Sequence, residues 1–310
     1  MRNIELRHLR YFIAVAQAGS VVAGARAIGI VQPALSRQIL ELEAAIGTPL
    51  LARKARGVQL TAAGESFLRD ARQLLADLQT GRDRALRCAA GQLGELHLGV
   101  LPNYLSATVV TNVLQAFRAA CPEVKVSVAP MLSAEQATAI ARKQIDGGIM
   151  AWRRDEAPHL SGIALLSDRF VLAMPAAQAA HHKAPKRLAD VADQPFVWFD
   201  PERSSAHHRF LMQQCERAGF APRVAQIGSD IPTVVGLVAA GMGCAFVPES
   251  LSALCPLTVQ LVPLREVSDR FDVEFTFDED AATPVVMRFA QALREVVGRR
   301  GRTRRVQPAR

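Results

Sequence analysis

Gln32, Pro33, Ser36 and Arg37 fall within two turns of a helical stretch, and their side chains suit the edges of nucleic-acid bases. Glutamine pairs bidentately with adenine and arginine with guanine, while a proline ring can rest against a thymine methyl group. Arg37 is equally suited to a phosphate, a contact that positions a protein without reading sequence. Further on, Arg53, Lys54 and Arg56 crowd one short turn, where they would reach phosphates or an adjacent minor groove. The chemistries that need other patterns are missing. There is no Gly-x-Ser-x-Gly elbow, no P-loop, and no Gly-x-Gly-x-x-Gly after a first strand; Gly241-Met-Gly243 precedes a strand, the wrong context for a dinucleotide. His181-His182 and His207-His208 are adjacent pairs whose rings point apart on a helix, with no Cys or carboxylate at ligand spacing, so neither a metal nor another cofactor is expected. His207 alone could line a cleft. Five scattered cysteines, Cys88, Cys121, Cys215, Cys244 and Cys255, read as buried thiols in a reducing compartment.

The elements around the first residues fit their task. Leu6, Leu9, Phe12, Ile13 and Ala16 recur at helical spacing, Gly19-Ser20 ends that helix and caps a short second one, and Gly29 stops the second. A third helix opens at Gln32-Pro33 with Ala34, Leu35, Ile39 and Leu42 inward, which turns Gln32, Pro33, Ser36 and Arg37 to the opposite side. Two short helices about a glycine turn make a helix-turn-helix, whose second member can enter a major groove. Residues 49–60 read as two strands with the basic turn between them, a wing. Thr61 then caps a long helix whose Phe67, Ala71, Leu74, Leu78, Gly81, Ala85 and Cys88 follow four-three spacing, a seam suited to a second copy of the chain, the alternative being an ordinary amphipathic helix packed on its own domain.

Beyond Gly91–Gly94 strands alternate with helices, which predicts a mostly parallel sheet with helices on both faces. Two lobes crossed twice, near 163–168 and 263–270, would put a ligand cleft at the strand ends. Charge divides in the same places. Residues 1–90 carry 13 Lys/Arg against 7 Asp/Glu, a net +6; 91–298 are −4; and 299–310 hold six arginines and no acid. Basic ends suit a polyanion, and the acidic middle a separate task. With half its 310 residues apolar, the chain has enough core for two or three domains; it shows neither a signal peptide nor a membrane-spanning run, so a cytoplasmic location is expected.

Leu6-Arg-His-Leu-Arg-Tyr-Phe-Ile-Ala-Val-Ala16, Gly19-Ser20, Val31-Gln-Pro-Ala-Leu-Ser-Arg-Gln-Ile39, Leu42-Glu43, Leu50, Arg53, Gly57-Val-Gln-Leu-Thr61 and Ala63-Gly64-Glu65 come in an order that closely resembles the LysR-type transcriptional regulators. Weaker runs continue the likeness: Ala134-Glu-Gln136, Asp146-Gly-Gly-Ile149, Ser229-Asp230 and Ala239 to Pro248. The chain departs from the pattern at Val21, where an aromatic is usual, and at Gly24, where alanine is; a helix-interior glycine costs about 0.5–1 kcal/mol.

The resemblance implies an α/β chain with an N-terminal winged helix-turn-helix (1–60), a linker and dimerisation helix (61–91), and a two-lobed effector domain like the periplasmic binding proteins (92–298). Lobe I would take about 92–165 and 270–298, lobe II about 166–269, and a basic flexible tail would follow at 299–310. It implies no enzyme but a sequence-specific regulator of a promoter or operator in double-stranded DNA, working as a homodimer or homotetramer with RNA polymerase. A small effector, with an organic carboxylate favoured, would lie between the lobes at Asn103, Ser133, Phe199, Arg203, Ser204 and Ser205, positions that match where family members contact effectors. Ser204 could equally do no more than cap its helix. Cys215 lacks the upstream cysteine of the peroxide-sensing branch, since Arg203 to Gln214 contains none. An α/β enzyme or a solute-binding protein acting on an anionic small molecule is the alternative, opposed by the missing motifs and the attached N-terminal domain.

Overall fold

The computed structural model describes residues 3–54, 57–181 and 185–304, and its two units are Met1–Leu86 and Arg87–Arg310. In the first, α1 (Leu6–Ala18) ends at Gly19 in the left-handed conformation, and Ser20 caps α2 (Val21–Ala27) by accepting the Ala23 N–H at 3.4 Å. α3 (Gln32–Ile46), the strands β1 (Leu51–Lys54) and β2 (Gly57–Leu60), and α4 (Ala62–Ala89) follow. Phe12, Val15, Ala25, Leu35, Ile39, Leu42 and Leu50 form the core, closed by Phe67 with its ring 5.5 Å from that of Phe12. Glu43 ties α3 to β1 by accepting the N–H groups of Leu50 and Leu51 at 2.8 and 3.0 Å. Thr61 caps α4, its hydroxyl accepting the Gly64 N–H at 2.9 Å.

Two inward assignments are corrected. Ala34 is exposed, because it shares a face with Arg37 and Gln38, three and four residues on, while the buried stripe runs through Leu35, Ile39 and Leu42. Leu6 is exposed in the first turn of α1, and Val15 is the residue the stripe buries. Gly24 also has a reason to be glycine. It is buried where α2 meets α1, and a Cβ there would lie 3.1 Å from Val15 Cα, so the gain in helix propensity from alanine is set against a tight contact.

The second unit contains β3 (Leu93–Val100), α5 (Thr108–Ala120), β4 (Glu123–Pro130), α6 (Ser133–Ala141), β5 (Gly147–Ala151), α7 (Arg153–Glu156), β6 (Ser161–Pro175) and α8 (Ala176–His181). It continues with β7 (Pro195–Phe199), α9 (Ser205–Arg217), β8 (Arg223–Gly228), α10 (Ile231–Ala239), β9 (Ala245–Pro248), β10 (Val259–Val262), β11 (Arg270–Phe277) and α11 (Pro284–Arg304). Seven strands form one sheet in the order β10-β6-β11-β5-β3-β4, with β9 also on β6, while β7 and β8 pair separately. The sheet is mixed rather than mostly parallel. β3 runs parallel to β4 and β5, but β6 is antiparallel to β9, β10 and β11, and β11 to β5.

The cause is β6, a strand of 15 residues that serves both lobes. Its first part pairs with β11 as far as Arg169, and from Phe170 it pairs with β9 and β10. The chain returns at Arg270, opposite Arg169. The handover therefore falls inside continuous strand. At the C-terminus α11 runs to Arg304, so residues 299–304 extend a helix where a flexible tail was expected; 305–310 lie outside the described residues.

Candidate DNA-reading face and ligand cleft

Gln32, Pro33 and Arg37 are exposed on α3 and Ser36 is half-buried. Proline within the first turn removes an N–H that the helix could not have used. Arg7, Tyr11, Ile30, Pro33, Ala34, Arg37 and Gln38 line one concave surface, so α1 contributes to the face that α3 presents. Arg7 and Tyr11 escaped the sequence reading; their signal was the four-residue spacing that places both on one side of α1. The wing hairpin pairs Arg53 with Val58 and Lys54 with Gly57, leaving both basic side chains exposed, and Arg56 lies outside the described residues. Val58 N–H donates to Gly19 C=O at 2.9 Å, and at Gly57, where φ is 99°, a Cβ would stand 2.3 Å from that oxygen. Glycine is what lets the wing seat on the turn between α1 and α2.

Along α4 the four-three seam splits. Phe67 is half-buried and Ala71 fully buried, whereas Leu74 and Leu78 are 53% and 46% exposed. The first pair serves the unit's own core.

In the second unit a cavity of about 50 Å³ lies where the strand ends of the lobes face one another, on a scale where one water takes roughly 10–15 Å³. Asn103, Ser133, Phe199 and Ser204 line it. Ser133, the first residue of α6, is buried. Arg203 and Ser205 do not line it. Arg203 is turned to the Ser229 carbonyl at 2.9 Å and to Glu135 Oε1 at 2.7 Å, and Ser205 is exposed at the start of α9. The guanidinium expected to hold a ligand carboxylate therefore holds the chain's own. Burial pushes the Glu135 carboxyl up, but the Leu132 N–H and Arg203 outweigh it and hold its pKa below the ordinary value.

Aromatic rings supply about a third of the residues in its wall. Phe271 stacks between Trp152 at 5.0 Å and Phe170 at 4.8 Å, and Phe170 stacks in turn on His207 at 5.0 Å. Burial, then the neighbouring His208, pushes the His207 pKa down to about 3, and its Nε2 is buried without a hydrogen-bond partner. His207 is thus a neutral ring available to a ligand. Beside the cleft Asp168 accepts the Tyr104 hydroxyl at 2.9 Å, the Ser250 hydroxyl at 2.6 Å and the Arg169 N–H at 2.8 Å, tying the segment after β3 and the turn after β9 to β6. Burial and then the Asp168 charge push the Tyr104 pKa well up.

Among the described residues no three His, Cys, Asp or Glu side chains stand close enough to hold a metal ion, and His182 lies outside them. His208 accepts the Trp198 Nε1–H at 2.8 Å. Burial pushes the Cys215 and Cys244 thiols up to about 12, which leaves little reactive thiolate. Arg153, near the cleft in sequence, is taken by Glu274 at 2.6 Å and the Leu160 carbonyl at 3.0 Å. Among the described residues no helix is long and apolar enough to cross a membrane.

Comparison with known proteins agrees with this geometry. Residues 6–65 match the model of the bacterial regulatory helix-turn-helix protein, lysR family, and residues 89–298 that of the LysR substrate binding domain. The HTH-type transcriptional regulator TdfR of Cupriavidus pinatubonensis is 34% identical over 96% of this chain and 100% of its own. AlsR of Bacillus subtilis, also an HTH-type transcriptional regulator, is 33% identical over 92% of this chain and 94% of its own. The crystal structure of full-length CbnR complexed with the target DNA superposes with a TM-score of 0.79 at 28% identity, covering 95% of this chain and 100% of that one.

Proposed function

Because the chain belongs to the LysR family of transcriptional regulators, a DNA-binding helix-turn-helix joined to an effector-binding domain, we propose that it reads a specific promoter sequence and that a small organic carboxylate in the cleft controls it. Gln32, Pro33, Ser36 and Arg37 read base edges, and Arg53, Lys54 and Arg56 grip phosphate or minor groove. The observation that carries this reading is the exposure of Gln32, Pro33 and Arg37 on one helix beside a basic wing.

The carboxylate sits against Ser133 at the N-terminus of α6, where free N–H groups and the helix dipole favour negative charge. Asn103 and Ser204 supply further hydrogen bonds, and Phe199 packs on the carbon skeleton. The cavity has room for a few atoms only, so a larger ligand binds by shifting the population toward a more open arrangement of the lobes. Leu74 and Leu78, the exposed half of the α4 seam, join copies into a homodimer, which a homotetramer repeats. The protein works in the cytoplasm and passes its effect to RNA polymerase.

A gel-shift comparison of the protein's own upstream region with random duplex at moderate salt tests the first half; equal affinity for both would sink it. A thermal-shift screen of small carboxylates tests the second, because a ligand bound only by the folded protein raises Tm. Substituting Ser133 with Ala should abolish the shift given by the best carboxylate.

A further inference from the structure

Two neighbouring side chains of the DNA-reading face share one carboxylate. Glu41 Oε1 accepts Arg37 Nε–H at 3.1 Å, and Glu41 Oε2 accepts the Gln38 side-chain amide at 2.6 Å. From the other side comes His8, buried in α1, whose Nε2 lies 3.9 Å from Glu41 Oε2. His8 Nδ1 accepts the Glu5 N–H at 3.0 Å, so the ring proton sits on Nε2 and faces the carboxylate.

We infer that Glu41 is a positioning residue that makes Arg37 a reader of guanine rather than a clamp on phosphate. This rests on the reading that α3 faces DNA. A guanidinium carries five N–H groups in a planar fork. With Nε engaged by Glu41, the Nη1/Nη2 edge stays free, and that edge spans the O6 and N7 acceptors of guanine. The same carboxylate repels a phosphate that approaches the guanidinium from its side, whereas a guanine edge carries no net charge. An isolated surface ion pair is worth little. Here the second bond, to Gln38, restricts Glu41, so its hold on Arg37 costs less conformational entropy than a free pair would.

The test uses the full chain and a duplex pool randomised across the site, with bound sequences recovered and counted. Arg37→Ala identifies the position at which guanine preference depends on Arg37. Glu41→Ala should reduce preference at that same position by at least about fivefold, the lower end of what a bidentate pair supplies, while affinity for random duplex holds or rises. If Glu41→Ala keeps the preference and tightens every sequence by one factor, Glu41 only competes with phosphate and the inference is wrong. If Arg37→Ala relaxes no position yet still binds DNA, Arg37 reads nothing, and the underlying reading falls with the inference. Glu41→Gln, which keeps shape and loses charge, decides the matter if the alanine variant melts below the assay temperature.

Discussion

At the scale of single residues, the wall of the cleft includes a histidine, His207, that burial keeps neutral. An unfolded histidine titrates near 6.5 and His207 near 3, so between those values the unfolded chain binds a proton that the folded chain refuses. Stability must therefore rise with pH across that window and level off above it. Both tryptophans, Trp152 and Trp198, belong to the second unit, so urea unfolding followed by their fluorescence reports on it directly. The wild-type protein should lose roughly 2 kcal/mol on this account between pH 7 and about pH 4.5. His207→Phe, which keeps a ring against Phe170, should flatten that dependence; an equally steep variant would mean that His207 is not the group refusing the proton.

At the scale of elements, close approaches matter as much as apolar spacing. Gly64 in the first turn of α4 sits against the Leu50 carbonyl, where a Cβ would lie 2.0 Å from the oxygen. Gly64→Ala must push α4 from β1, and we expect about 1–3 kcal/mol of destabilisation, read as an earlier thermal transition and weaker DNA binding. Further along α4, Leu74→Glu with Leu78→Glu should lower the assembled mass in sedimentation equilibrium without lowering the helix content. Unchanged mass would put the self-association surface elsewhere. Phe67 and Ala71 obey the same spacing, yet they belong to the core, because periodicity marks a face without saying whether this chain or a second copy covers it.

At the scale of the whole molecule, the charge divisions assign separate tasks to the parts. The six arginines beyond Gly298 are expected to add unspecific attraction to DNA. Truncation after Gly298 should weaken binding to random duplex and flatten its dependence on salt while the recovered consensus stays the same. A changed consensus would show that the basic end reads sequence. Within the second unit, Arg203, just before α9, pairs with Glu135 of α6 at 2.7 Å, and Arg209 of α9 pairs with Asp155 of α7 at 3.7 Å, so an effector that separates these elements is expected to work against ion pairs already made.

Local patterns determined much of this protein. The Leu35, Ile39, Leu42 stripe set which side of α3 faces outward, Ser20 and Thr61 marked helix starts, and the ordered motifs from Leu6 to Glu65 pointed to the family. These signals lie within a few residues of one another, where hydrogen bonding and side-chain spacing act directly. The tertiary structure alone decided that one strand, β6, carries the sheet from lobe to lobe, that Arg203 meets Glu135, and that Tyr104 and Ser250 converge on Asp168. Glu135 stands 68 residues from Arg203, and Tyr104 and Ser250 stand 64 and 82 from Asp168; only packing of the whole unit brings such groups within hydrogen-bond reach.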